Sequence, residues 1–202
     1  MKKEDLLLYG FVGSIFLLFG ASLYFHTTRS RYGSFQQPKI KSPFRINIFD
    51  KNVNVDLATM SDDGIEKLKK WEGGCRTNAY LDSAKVPTIG YGHTKGVRMG
   101  DVITLAEGER LLREDLEYFI KLVRNALKNN GVGSIDQHVF DMLVSHSFNT
   151  GSTDASGHYS EWGNTDKLHE WWNTHYITTG GKRSDGLVNR RNYELEILKN
   201  GY

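Results

Sequence analysis

The sequence predicts an α+β protein in which one transmembrane helix precedes a small antiparallel sheet beside a mainly helical lobe. Three observations lead to this fold class. Residues 6–25 contain no charged side chain, and residues 80–94 are short β-forming runs broken by glycines. Two capping-box patterns, at residues 104–107 and 134–137, each precede apolar residues at helical spacing.

The composition of the 202 residues is that of a globular domain with an extension, because 39% are apolar and 25% are charged. The formal net charge is only +2, whereas nucleic-acid-binding domains concentrate basic residues on one face. We therefore expect no nucleic-acid partner. Cys75 is the one cysteine of the chain, which excludes an intrachain disulfide.

The uncharged segment 6–25 has the length of a membrane-spanning helix, since 20 helical residues extend about 30 Å, the thickness of the hydrocarbon core of a bilayer. It is longer than the apolar part of most signal peptides, and no A-x-A cleavage pattern follows it. We favour a retained anchor over a cleaved signal peptide or a helix that later leaves the bilayer. The predicted organisation is a transmembrane helix in 1–25, a basic extended linker in 26–45 and a globular domain in 46–202.

The basic residues on either side of this segment indicate its orientation in the membrane. Lys2 and Lys3 precede it, whereas four basic residues follow it within the next 16 positions: Arg29, Arg31, Lys39 and Lys41. The positive-inside rule would place the C-terminal side in the cytoplasm.

The first helix of the globular domain is predicted to begin at Ser61, a good N-cap, and to end at Glu72, where Gly73 and Gly74 stop it. Residues 80–94 then predict a small antiparallel hairpin or a three-stranded sheet, with a turn at 83–87.

Four further helices complete the predicted lobe. The box at 104–107 opens a long helix that ends at 129–131, and the box at 134–137 opens the next one. Shorter helices are predicted over 165–175 and 185–200, the latter closed by Gly201.

Glu72 is the carboxyl group whose position best suits acid catalysis. It ends a helix, where the negative end of the helix dipole disfavours ionisation of a carboxyl group. Asp82 and Thr88 lie on the predicted hairpin, where a carboxylate and a hydroxyl on adjacent strands can hold one water. The same residue types are also common as a solvated helix end, a turn former and an ordinary strand threonine, so the residues alone leave both interpretations open.

Three sequence blocks resemble the phage-type lysozymes, glycoside hydrolase family 24. The first is WEGGCRTNAYLDSAKVPTIGYGHT at 71–94, the second is SFNTG at 147–151, and the third is GLVNRR at 186–191 with Glu194. The gap from Glu72 to Asp82 is one residue longer than is usual in that family. Residues 152–179 also resemble the family poorly.

The resemblance implies a lysozyme-like fold and hydrolysis of the β-1,4 bond between N-acetylmuramic acid and N-acetylglucosamine in bacterial peptidoglycan. Glu72 would be the general acid, and Asp82 and Thr88 would position the attacking water with inversion at the sugar carbon. No metal and no cofactor is implied.

Other polar residues in these blocks are candidates for supporting roles. Asn149 is expected either to meet a substrate amide or to cap the preceding helix. Of Arg190 and Arg191, one is expected to form a structural ion pair and the other to face the substrate cleft. His93 is expected to fix a turn through hydrogen bonds.

Several functional alternatives remain. The enzyme would be anchored by 6–25 in the host inner membrane with a periplasmic catalytic domain, as in phage lysis, or in a virion membrane, where it would open the wall at infection. The periplasmic placement is the opposite of the orientation that the positive-inside rule predicts. A lytic transglycosylase uses the same acid but no water, so Asp82 and Thr88 favour hydrolysis. A non-catalytic glycan-binding module would not need Glu72.

Overall fold

The structure is a computed structural model that describes residues 52–82, 84–163 and 165–202. The predicted transmembrane helix and linker lie outside these residues. Within the described ranges, no helix is both long enough and apolar enough to cross a membrane. The described chain contains these elements in order: β1 (Asn52–Asn54), α1 (Asp62–Trp71), β2 (Arg76–Leu81), β3 (Pro87–Gly90), α2 (Leu105–Asn129), β4 (Ser134–Asp136), α3 (Gln137–Thr150), α4 (Asp154–Trp162), α5 (Asp166–Thr174), β5 (Thr178–Thr179), β6 (Lys182–Arg183) and α6 (Asp185–Asn200).

Helix α3 is the centre of the helical lobe. Every residue of 138–149 is buried, and α1, α2, α4 and α6 pack around the helix. The apolar stripe of α2 supplies much of the surrounding core, with Leu112, Leu116, Phe119, Ile120, Val123 and Leu127 all buried. The predicted α+β architecture, with small antiparallel sheets beside a mostly helical body, is confirmed.

Helix α1 begins as the sequence predicts. The Ser61 side chain accepts a hydrogen bond from the Gly64 amide, and Asp62 and Asp63 lie in the first turn, where negative charge is favourable. Asp141 of α3 fixes this end, because its carboxylate accepts hydrogen bonds from both the backbone amide and the hydroxyl of Ser61. These contacts fix the start of α1 against α3.

The hairpin formed by β2 and β3 is antiparallel, with Tyr80 opposite Thr88 and Leu81 opposite Pro87. Residues 101–103 run along the other edge of β2: the Ala79 amide donates to the carbonyl of Asp101 at 2.9 Å, and the Ile103 amide donates to that of Thr77 at 2.8 Å. The region is thus a two-stranded hairpin extended by one irregular segment.

The capping box predicted at 104–107 is present, with the Thr104 hydroxyl and the Glu107 carboxylate each accepting from the other's backbone amide. The second predicted capping box, at 134–137, is wrong. Ser134–Asp136 form β4, which pairs with β1 and buries Ile135, and α3 starts only at Gln137. Pairing with a strand 80 residues away in the chain therefore overrides the local capping pattern.

Candidate active site

Glu72 stands at the junction of α1 and the hairpin. Its backbone amide still donates to the Leu68 carbonyl at 3.2 Å, and the helix stops there because Gly73 (φ +74°) and Gly74 (φ +87°) adopt the left-handed conformation that glycine tolerates best. The side chain points inward, with only 3% of it exposed. The segment 72–75 then leads directly into β2.

The Glu72 carboxylate faces Arg190 of α6, whose Nη1 donates to Oε1 at 3.0 Å. Burial raises the pKa of Glu72 and is the dominant influence; the charge and hydrogen bond of Arg190 act the other way, and the charge of Glu194 raises it further. A carboxyl group held in this way can keep its proton at a higher pH than an exposed glutamate.

Glu194 joins both candidate arginines. Its Oε1 accepts from Arg190 Nε at 3.0 Å and from Arg191 Nη2 at 3.2 Å, and its Oε2 lies 3.1 Å from Arg191 Nε. The indole Nε1 of Trp172, on α5, donates to the same Oε2 at 3.1 Å. All four side chains are buried, and Glu194 compensates one of the two arginine charges within the protein.

Asp82 follows the last residue of β2, at the tip of the hairpin. Its Oδ1 accepts hydrogen bonds from the backbone amides of Ala84 and Val86, each at 2.8 Å. Two such bonds from the turn fix the direction of the carboxylate.

Thr88 is 3% exposed, and its hydroxyl donates to the Val86 carbonyl at 2.9 Å. Because that bond uses the hydroxyl hydrogen, the oxygen can only accept from any further group, such as a water. The Asp82 amide donates to the Val86 carbonyl, which continues the register that pairs Tyr80 with Thr88. This register places Asp82 and Thr88 as diagonal neighbours on one face of the hairpin.

Asn149 lies in the last turn of α3, and its amide oxygen accepts from Arg191 Nη2 at 2.7 Å. Gly151 ends that helix. The two arginines thus divide as follows: Arg190 contacts Glu72, and Arg191 contacts Asn149, while both bind Glu194.

His93 lies after β3 with both ring nitrogens in contact with acceptors. Nδ1 is 2.9 Å from a carboxylate oxygen of Asp115 on α2, and Nε2 is 3.0 Å from the carbonyl of Lys95. The hydrogen bond with Asp115 is the largest cause of a raised pKa at His93, which favours the doubly protonated ring that both contacts require. These contacts join the hairpin to α2.

Glu194 lies in the third sequence block, but the sequence alone assigned it no role in the site. Its signal was available, since a glutamate three and four residues after two arginines shares their helix face. The pattern is common on exposed helices, however, and only burial distinguishes this instance.

Comparison with known proteins agrees with the three sequence blocks. The family model described as phage lysozyme matches residues 69–194. The chain is 35% identical over 152 residues to the endolysin of Bacillus phage PZA, a match that covers 70% of this chain and 55% of that protein. It is 31% identical over 152 residues to the endolysin of Acyrthosiphon pisum secondary endosymbiont phage 1, covering 69% of this chain and 97% of that one.

A solved structure is also similar. The endolysin from Escherichia coli O157:H7 phage FAHEc1 superposes with a TM-score of 0.58 and 31% identity, over 72% of this chain and 96% of that one. The chain thus spans about half the length of the Bacillus phage relatives, 55% and 54%, and nearly all of the Escherichia phage endolysin.

Proposed function

The chain belongs to the phage lysozyme family, and on that premise we propose that it is a muramidase, a peptidoglycan hydrolase that cleaves the β-1,4 bond between N-acetylmuramic acid and N-acetylglucosamine. The single observation that carries this proposal is the Glu72 carboxyl, buried against Arg190 at the base of the hairpin that bears Asp82 and Thr88. The endolysins among its relatives support the same class of substrate.

In the proposed reaction, Glu72 gives its proton to the glycosidic oxygen as the bond to the muramic acid carbon breaks. Asp82 takes a proton from a water that attacks this carbon from the opposite face, and Thr88 accepts the other hydrogen of that water. The configuration at the carbon is inverted. Inversion requires a separation of about 6.5–9.5 Å between the two carboxyl groups, which leaves room for the water.

Arg190 has a supporting role in this proposal. Its hydrogen bond to Oε1 orients Glu72 in the resting enzyme, and its positive charge compensates the negative charge that appears on Glu72 after proton transfer. Burial keeps Glu72 protonated before the step, and Arg190 stabilises the carboxylate after it.

We also propose that residues 6–25 retain the enzyme at a membrane, either the host inner membrane with the catalytic domain in the periplasm or a virion membrane. The support is the run of 20 uncharged residues. After expression of the full chain, the protein should stay in the membrane fraction through an alkaline carbonate wash and should be extracted by detergent. Recovery in the soluble fraction at full mass would contradict retention.

The test of the proposed reaction is product analysis by mass spectrometry, with the full chain in mild detergent acting on purified peptidoglycan. Muropeptides with a reducing muramic acid end are expected. Anhydro-muramic ends would mean a transglycosylase and would remove the role given to Asp82 and Thr88. A folded protein that releases no product would contradict the proposal that the protein is an enzyme and would favour a glycan-binding module.

A further inference from the structure

Glu194 has no place in the proposed chemistry, yet it is the most heavily bonded carboxylate near Glu72. Its side chain is 1% exposed, and its two oxygens accept from three residues on two helices, Arg190, Arg191 and Trp172. A buried carboxylate is stable only with such compensation. An apolar side chain would fill the same space without needing compensation. The presence of Glu194 beside the catalytic acid therefore needs a reason beyond packing.

The first consequence of this arrangement is geometric. A guanidinium group is planar and rigid, so holding one edge fixes the direction of the other N–H groups. Glu194 holds the Nε edge of Arg190, which leaves Nη1 to point at Glu72 and Nη2 to lie 3.4 Å from the carbonyl and hydroxyl of Ser145.

The second consequence is electrostatic. Arg190 and Arg191 together bring two positive charges to the side of Glu72, and Glu194 cancels one of them. Without that negative charge, the two arginines would favour the ionised form of Glu72, which cannot act as an acid.

Two further titratable side chains interact with the arginines, and both are uncharged at neutral pH. His146, on α3, is fully buried, and burial followed by the two arginine charges holds its pKa well below the usual range. Tyr176 is half-buried, and burial is the main reason that its pKa is raised to about 12. Glu194 is thus the group outside the proposed chemistry that offsets one of the arginine charges.

We propose that Glu194 is a positioning residue of the active site, which holds Arg190 against Glu72 and cancels one of the two arginine charges so that Glu72 carries its proton when substrate binds. This inference rests on the proposed role of Glu72 as general acid. Glu194 itself touches neither the substrate nor the water.

The test is the Glu194→Gln variant of the full chain, compared with Glu196→Gln, an exposed glutamate on the same helix. The alkaline limb of the pH profile of kcat should move to lower pH by roughly 1 unit in Glu194→Gln. Since the protonated fraction falls tenfold for each unit above the pKa, kcat on that limb should fall about tenfold, with KM little changed. Glu196→Gln should follow the wild-type profile. An unmoved limb in folded Glu194→Gln would overturn the proposal.

A measurement without activity separates this inference from the proposed function. Carbon-13 titration of the Glu72 carboxyl by NMR should give a lower pKa in Glu194→Gln than in the wild type. If wild-type enzyme cleaves nothing but the shift is present, the proposed reaction fails and the electrostatic role stands; an equal pKa in both proteins overturns the role of Glu194.

A shorter side chain decides the question if Glu194→Gln does not fold. Glu194→Asp keeps the negative charge, but the shorter side chain moves the carboxylate away from Arg190. Folded Glu194→Asp should keep the wild-type alkaline limb while its kcat falls, because Arg190 is no longer held. A wild-type kcat in that variant would overturn the positioning role.

Discussion

Burial and charge act on the Glu72 carboxyl in opposite directions. Its burial raises the pKa, and the ion pair with Arg190 at 3.0 Å lowers it, with burial the larger influence. An exposed glutamate at the end of a helix would ionise readily and would be useless as an acid at neutral pH. The catalytic hypothesis therefore depends on the depth of this one side chain.

A single substitution of Asp82 tests whether this residue positions the attacking water. Asp82→Asn keeps an oxygen that can accept from the Ala84 and Val86 amides, so the turn should survive, but it removes the charge that takes the proton. We expect kcat to fall by about 10²–10⁴-fold with an unchanged melting temperature.

The matched control is Asp101→Asn, because Asp101 is another turn carboxylate, which accepts from the Arg98 amide at 2.8 Å on an exposed loop. It should retain wild-type kcat. Equal activity of the two variants would exclude Asp82 as the base.

The contacts of His93 predict that its contribution to the free energy of unfolding depends on pH. Its pKa is raised in the folded state, so its contribution is fully present below the unfolded pKa of about 6.5 and is lost as pH rises through the folded pKa. His93→Gln should lower the free energy of unfolding by about 2 kcal/mol at pH 5.5 and by clearly less above neutral pH. Chemical denaturation across this range measures it.

Asp115→Asn completes a double-mutant cycle with His93→Gln. The two losses should be strongly non-additive at pH 5.5, because each variant breaks the same contact. Additive losses would show that the pair contributes no stability.

At the scale of elements, the approach of α2 to the segment 72–75 sets the position of the hairpin relative to the acid. A methyl group on Gly108 of α2 would lie 2.3 Å from Cys75 Sγ, which is too close for any real contact. The glycine is thus required by packing, and Cys75 is part of that contact.

Gly108→Ala should lower the free energy of unfolding by about 1–3 kcal/mol, because the added methyl overpacks the interface. In a Cys75→Ala background the nearest remaining atoms are at 3.5 Å or more, and alanine is the better helix former by about 1 kcal/mol. There the same change should be neutral or stabilising. Equal costs in both backgrounds, measured by thermal unfolding, would refute the contact.

Capping residues in the sequence predicted the helices whose ends are set by neighbouring residues in the chain. Ser61 and the pair Thr104 and Glu107 cap their helices as the sequence indicates, and α6 has its predicted bounds. The sequence analysis missed β1 and α4. Helix α4 buries only Ala155 and Ser156 and so lacks an apolar stripe, and β1 exists only because it pairs with β4 far along the chain.

Across the whole molecule, the site is assembled from parts that lie far apart in the sequence. Glu72 follows α1, Arg190 lies on α6, and Asp82 and Thr88 lie on the hairpin. Sequence blocks identified each part, and the superposition on a phage endolysin confirms the lysozyme-like fold. Depth of burial and the network through Glu194 follow from tertiary packing, which no local pattern in the sequence contains.

Glu72 is the proposed proton donor, and the turnover of Glu72→Gln on purified peptidoglycan tests that role directly. Glutamine can still accept from Arg190, so the melting temperature should remain near that of the wild type. Turnover should fall by at least about 10²-fold, whereas Glu66→Gln, an exposed change on the same helix, should keep it. Near-normal turnover of folded Glu72→Gln would exclude Glu72 as the proton donor.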